Sequence, residues 1–222
     1  MVKKEKVIVY VDGPNLYRGM TRRWKDIKWL DLYAMCESFM KAHQELVGVK
    51  FFTSRIKDEP LKERRQNTYL EALVETGVFI SEGYNAKGKT TCRECKCTWV
   101  TYKEKMTDIK MALNIVEDVH LYDMAMVISG DSDFLPSIER VCKNWNKRVV
   151  VVFPPNVRSD ALKRAVKETF RIGHKKLKDH QLPDEITKKD GYILKKPDEW
   201  NMSLENSSLP DIGESNKQYT LN

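Results

Sequence analysis

The sequence predicts an α/β fold, a three-layer α/β/α sandwich around a mostly parallel central sheet. Two observations carry this. Short β-branched and apolar runs, KVIVYV (6–11), MAMVIS (124–129) and RVVVVF (148–153), lack the alternation of a half-exposed strand, as expected of strands buried on both faces. Between such runs lie segments with apolar residues at helical spacing. Strands that alternate with helices imply a parallel sheet covered on two sides.

In chain order, the first strand is broken by Asp12-Gly13-Pro14-Asn15. Residues 31–46 have apolar side chains at 32, 35, 36, 39, 42 and 46, a helical spacing, with Asp31 as N-cap. VGVKFFTS (47–54) is a second strand. Residues 59–76 read as a long helix with Pro60 in its first turn and Gly77 at its end. VFISEGY (78–84) is a third strand, and 85–103 is a Cys-containing basic insert. Thr107 is the expected cap of a helix over 107–119. After the strand at 124–129, a helix over 133–146 holds Pro136 in its first turn. The strand at 148–153 stops at Pro154-Pro155. A short helix near 159–167 and a last strand at 169–172 complete a body of residues 1–178. Beyond it the periodicity fades, so 179–222 is expected as an extended or partly disordered tail. Its stretch 183–200 has the Trp, Tyr and Ile needed to dock on the body or on a second chain.

The chain of 222 residues is long enough for one substantial α/β domain and a tail. No apolar run approaches the roughly 18 residues of a membrane span. The basic N-terminus leads into a short apolar stretch that meets Asp12 without a small-residue cleavage site, which suits a first strand better than a signal peptide. A soluble cytoplasmic protein is the expectation. The formal net charge is +7, unevenly spread. Residues 179–222 hold five Lys and nine Asp or Glu, leaving 34 basic and 23 acidic side chains in residues 1–178. A positive body suits a polyanion such as nucleic acid, and excess lysine on a solvated surface is the alternative.

In open parallel sheets, ligands bind outside the carboxyl ends of the strands. Two strands end in acids there: VIVYV runs into Asp12, and AMVIS into Gly130, Asp131 and Asp133. Asp108 begins a helix that leads into the second of these strands. If both strands are central, the carboxylates share one rim. Clustered carboxylates repel one another unless a cation joins them or their pKa values rise. Hard oxygen donors suit Mg²⁺ or Mn²⁺. Each acid also has an ordinary use: Asp12 before Gly-Pro as a turn former, Asp133 as a helix cap, and Asp108 as a complement to a helix dipole.

Three segments in this order, VYVDGPNL (9–16), KMTDIKMAL (105–113) and VISGDSDFLPSI (127–138), resemble the signature of the NYN (LabA-like) domain family of the PIN-like nuclease superfamily. The resemblance spans roughly residues 6–173. It implies a PIN-like α/β/α sandwich and metal-dependent ribonuclease activity. The family's acidic positions fall on Asp12, Asp108, Asp131 and Asp133, and its polar Asn on Asn15. Ser129 matches a small hydroxyl residue that bonds an aspartate or water. Lys105 stands where relatives carry a basic residue near a phosphate. A non-catalytic RNA-binding or adaptor module is the alternative. A phosphatase of the aspartyl-phosphate type wants a second Asp two positions after the first, where this chain has Pro14.

Cys92-x-x-Cys95-x-Cys97 is the second unusual feature. Such spacing suits Zn²⁺, which takes four sulfur or nitrogen ligands. The fourth is open among Cys36, His43, Cys142 and a residue of a second chain in a homodimer, and reduced, metal-free thiols are the alternative. Zinc there would order a basic hairpin with Lys87, Lys89, Arg93, Lys96, Lys103 and Lys105. Cationic grooves with aromatic rings hold single-stranded nucleic acid. Tyr17, Arg18, Arg22, Arg23 and Trp24 follow Asn15, Trp99 and Tyr102 lie in the insert, and Arg158 opens a second basic run extending to Lys178. Trp29 and Trp145 are read as packing residues.

Overall fold

A computed structural model of the chain describes residues 3–22, 24 and 26–200; the expected tail over 201–222, Arg23 and the side chain of Lys103 lie outside the described residues. Strand β1 (Glu5–Asp12) is buried on both faces from Val7 onward. Asp12 ends it and caps a helix, α1 (Gly13–Thr21), in which Pro14 occupies the first turn. Proline fits there because the first N–H groups of a helix have no carbonyl partner within it. The expected break at 12–15 is therefore a strand-to-helix turn. Helix α2 (Leu32–Glu37) starts at Asp31, whose carboxylate accepts from the N–H of Ala34 at 2.9 Å, and is shorter than its apolar spacing suggested. Residues 44–46 belong instead to strand β2 (Gln44–Thr53), where they pair with Glu5, Lys6 and Val7 of β1. The neighbouring ladder outweighs a short stretch of helical periodicity.

Helix α3 (Pro60–Glu75) and strand β3 (Phe79–Glu82) come next, separated by Gly77 at φ 90°. The insert forms an antiparallel hairpin of β4 (Tyr84–Thr91) and β5 (Thr98–Lys105). In helix α4 (Thr107–Glu117) the N-cap is Met106, left-handed at φ 72°, and not Thr107. Thr107 lies inside the first turn because the chain leaves β5 at a sharp corner, and its Oγ1 is buried with no hydrogen-bond partner. The remaining body is β6 (Met124–Ile128), α5 (Leu135–Trp145), β7 (Arg148–Phe153), α6 (Asp160–Ala165), β8 (Glu168–Arg171) and α7 (His174–Asp179). Residues 180–200 run back across α3 with a small hairpin, β9 (Glu185–Thr187) and β10 (Ile193–Lys195). Leu182 and Leu194 pack there against Trp29 and Ala72, and the Trp29 indole N–H donates to the Pro183 carbonyl at 2.8 Å.

Six strands form one sheet in the order β3-β2-β1-β6-β7-β8, every pairing parallel. Val7, Val9 and Val11 face the layer containing α1, α2, α3 and α7, while Ile8 and Tyr10 face α4, α5 and α6. The α/β/α sandwich is thus read directly from the alternation along β1. Each fully buried valine or isoleucine contributes roughly 1.5–3 kcal/mol. After β3 the chain returns to the other side of β1, so the strand order reverses between β1 and β6. That switch point is where an open α/β sheet offers a crevice beyond its strand ends.

Candidate functional site

Asp12 ends β1 and Ser129 directly follows β6, the two strands that flank the switch point. The hydroxyl of Ser129 donates to Asp12 Oδ2 at 2.7 Å and accepts from the N–H of Asp131 at 3.0 Å. The N–H of Asn15 donates to Asp12 Oδ1 at 3.0 Å, and Asn15 Oδ1 accepts from the N–H of Gly130 at 3.1 Å. Asp131 Oδ1 in turn accepts from the N–H of Asp133 at 3.0 Å, capping a short 3-10 turn that leads into α5. One hydrogen-bonded chain therefore joins Asp12, Asn15, Ser129, Asp131 and Asp133. Two glycines permit the close approach. A Cβ on Gly13 would stand 2.6 Å from the Phe51 ring, and one on Gly130 2.0 Å from Val157 Cγ1.

Asp12 is 3% exposed. Burial pushes its carboxyl up to about 6, against the pull of the Asn15 N–H and the Ser129 hydroxyl; the nearby Asp108 raises it further and Arg18 lowers it. Asp108, in the first turn of α4, is therefore near enough to act on Asp12 through its charge. Asp108 and Asp133 are exposed and Asp131 half-buried. The donor set consists of hard carboxylate oxygens around one buried acid, which fits a divalent cation of the Mg²⁺ or Mn²⁺ kind. Among the described residues, however, no three His, Cys, Asp or Glu side chains already stand together as a metal-ligand group.

The predicted basic residues divide. Arg18, on the second turn of α1, acts on Asp12 electrostatically. Lys105 ends β5 at the corner before Asp108. Arg158 follows Val157, which packs on Gly130, and pairs with Asp160 at 2.8 Å. Arg93 stands at the tip of the β4–β5 hairpin, about 25 Å from its base for strands of this length. The same tip carries Cys92, Cys95 and Cys97. There the N–H of Cys92 donates to the Cys97 carbonyl at 2.8 Å, and the N–H of Cys97 and the neighbouring thiols hold the Cys95 thiol below its ordinary value. Cys36 is buried in the core, Cys142 lies on α5 and His43 lies beside Glu5, so none of these joins the tip as a fourth ligand.

A pocket of about 530 Å³ opens on the same rim, between α1 and α3. Tyr17 and Met20 line it from α1, Phe51 and Thr53 from β2, and Tyr69 from α3, with Trp200 as a further wall. Sequence reasoning placed Tyr17 beside the acids but did not reach Tyr69 or Trp200. The one signal for Trp200 in the sequence was the docking potential of residues 183–200, and Tyr69 had none beyond its place in the helix over 59–76.

The NYN domain family model matches residues 6–173. The chain is 26% identical over 236 aligned positions, covering 86% of this chain and 74% of the relative, to the 6-hydroxy-3-succinoylpyridine 3-monooxygenase HspA of Pseudomonas putida (strain DSM 28022 / S16). A protein of unknown function from Vibrio parahaemolyticus RIMD 2210633, VPA0982, has a crystal structure that superposes with a TM-score of 0.56 at 21% identity, covering 81% of this chain and 98% of that one. That likeness concerns the fold alone. Among the described residues no helix is long and apolar enough to cross a membrane.

Proposed function

The chain belongs to the NYN domain family, and from that premise we propose that it is a metal-dependent ribonuclease hydrolysing RNA phosphodiester bonds at the β1/β6 rim. One observation carries the reading most directly. Asp12 is a buried acid whose burial and whose neighbour Asp108 oppose its ionisation, while the Asn15 N–H and the Ser129 hydroxyl hold its two oxygens in place, an arrangement that a bound cation would relieve. Asp12, Asp108, Asp131 and Asp133 would hold Mg²⁺ or Mn²⁺, which when bound supplies a Lewis acid for the phosphate and a water of lowered pKa. Ser129 fixes the Asp12 carboxylate and the backbone at Asp131 with one hydroxyl. Asn15 ties the start of α1 to the loop after β6, keeping the two strand ends at a fixed spacing. Arg18, Lys105 and Arg158 border the rim as candidate phosphate contacts, and Arg93 would meet RNA farther along the hairpin.

Labelled single-stranded RNA, incubated with Mn²⁺, Mg²⁺ or EDTA and resolved on a denaturing gel, tests this. Wild type is expected to cut only with metal, and Asp131→Asn to lose at least about 100-fold in rate, the scale on which a positioned catalytic group contributes. RNA bound but uncut by both proteins would favour a non-catalytic RNA-binding module. The Pseudomonas relative supports a second reading, in which the rim serves oxidation of a heteroaromatic ring. Dioxygen uptake with 6-hydroxy-3-succinoylpyridine and a two-electron reductant such as NADH, which takes the second oxygen atom to water, and no RNA product is the result that would favour it.

A further inference from the structure

The pocket between α1 and α3 has no part in holding the carboxylates, yet it is built onto the same helix. Gly13, Leu16, Tyr17 and Met20 line it at helical spacing, and Asp12 caps the first turn of that helix. Whatever fills the pocket lies within two helical turns of the rim. Its size falls within the range of small-molecule sites, about 300–1,000 Å³. Its walls are rings on three sides: Tyr17, which is 49% exposed at the mouth, Tyr69, and Trp200 at 6.0 Å from Tyr69. Lys28, Lys62 and Arg65 also line it, against the single acid Glu59. Lys62 pairs with Glu59, and Arg65 with Glu199 at 2.6 Å, so a phosphate arriving at this edge exchanges for those carboxylates.

A chamber walled by aromatic rings, with cations at its border that can exchange their carboxylate partners for a phosphate, matches a planar heteroaromatic ring bearing an anionic group. We propose that the pocket is a nucleotide subsite, taking one base of an RNA strand between Tyr17 and Trp200 with its phosphate toward Lys28, Lys62 and Arg65. The subsite rests on the ribonuclease reading for its role, since a base seated there sets which phosphate of the strand reaches Asp12. Binding at the subsite needs no metal and no cleavage, so it is measurable apart from that reading.

The experiment is calorimetric titration of the full chain with adenosine and uridine 5′-monophosphates in EDTA, beside nicotinate as a ring acid without ribose or phosphate. The expected result is nucleotide binding that weakens by about 5-fold or more in both Tyr17→Ala and Trp200→Ala, the loss a stacked base suffers when its aromatic partner is removed. Tyr17 stands half exposed, so its truncation does not threaten the fold and keeps the test decisive if Trp200→Ala unfolds. No nucleotide binding at millimolar concentration, or binding that neither substitution weakens, overturns the subsite. Nicotinate bound as tightly as the nucleotides assigns the pocket to free aromatic acids and overturns it too. Nucleotide binding without RNA cleavage removes the nuclease reading and leaves the pocket. RNA cleavage that the monophosphates do not inhibit overturns the subsite and leaves the nuclease.

Discussion

Asp12 is asked to do opposite things. As the cap of α1 it should be ionised, and as a group 3% exposed it should not. With its carboxyl pushed up to about 6, the folded protein keeps a proton that the unfolded chain has already released between its ordinary value and that pH. Stability of the metal-free protein therefore falls as pH rises through this window, and above it the fold carries the cost of a buried charge. Asp12→Asn is expected to raise the stability of EDTA-treated protein at about pH 7.5 by on the order of 2–3 kcal/mol, the energy of a shift of this size. The gain should vanish near about pH 3, where the carboxyl is neutral in both the folded and the unfolded chain. Urea unfolding at the two pH values checks this, and a loss of stability at the higher pH would contradict it. The exchange removes the buried charge, but with the new amide donating to Ser129 Oγ, which still accepts from the N–H of Asp131, the Ser129 O–H loses its carboxylate acceptor, a cost that holds the gain to the lower end of that range.

At the scale of elements, the best test lies on the opposite face from α1. Lys50 of β2 meets Asp118 at 2.6 Å and donates to Asn114 Oδ1 at 3.0 Å, while the Tyr10 hydroxyl donates to the same aspartate at 2.9 Å. Asp118 lies in the turn after α4, so this cluster pins that helix to β1 and β2. Lys50→Met is expected to cost about 3–5 kcal/mol, because it leaves a buried carboxylate without its cation. The double variant Lys50→Met/Asp118→Leu should recover much of the loss in the same chemical denaturation measurement. The strands of this layer were legible in sequence because VIVYV, MAMVI and RVVVVF are apolar at nearly every position, which only a sheet covered on both sides requires. Helix α1 was not, because Asp-Gly-Pro-Asn is equally a turn and the first turn of a capped helix, and tertiary packing against Phe51 and Pro155 decides between them. The end of α2 was overextended for a related reason: residues 44–46 satisfy a helical period, yet β1 offers them a ladder. The acids of the rim were legible because strand ends in acids obey a rule about parallel sheets. The pocket was not, because several separate segments supply it and no local spacing announces their meeting.

For the molecule as a whole, residues 180–200 raise the question of where the domain ends. Leu182 and Leu194 cover Trp29, whose indole N–H donates to the carbonyl of Pro183, and Lys188 reaches Glu71 of α3 at 3.2 Å. We propose that the folding unit extends past residue 178 to at least Trp200. Two buried leucines at roughly 1.5–3 kcal/mol each imply that a chain ending at residue 178 loses about 3 kcal/mol or more. In a protein of this size that lowers Tm by roughly 10 °C. Differential scanning calorimetry of the shortened and full chains reads this directly, and equal melting temperatures would place the boundary back at 178.

The hydroxyl of Ser129 and the carboxylate of Asp12 meet across 117 positions of sequence. During synthesis, β1 leaves the ribosome long before β6, and at about 5–20 residues per second the interval is on the order of ten seconds. Throughout that time Asp12 has neither Ser129 to orient it nor Asp131 to share its rim, and one edge of β1 is open. The rim is therefore assembled only after translation has passed β6 and the second half of the sheet has docked on β1.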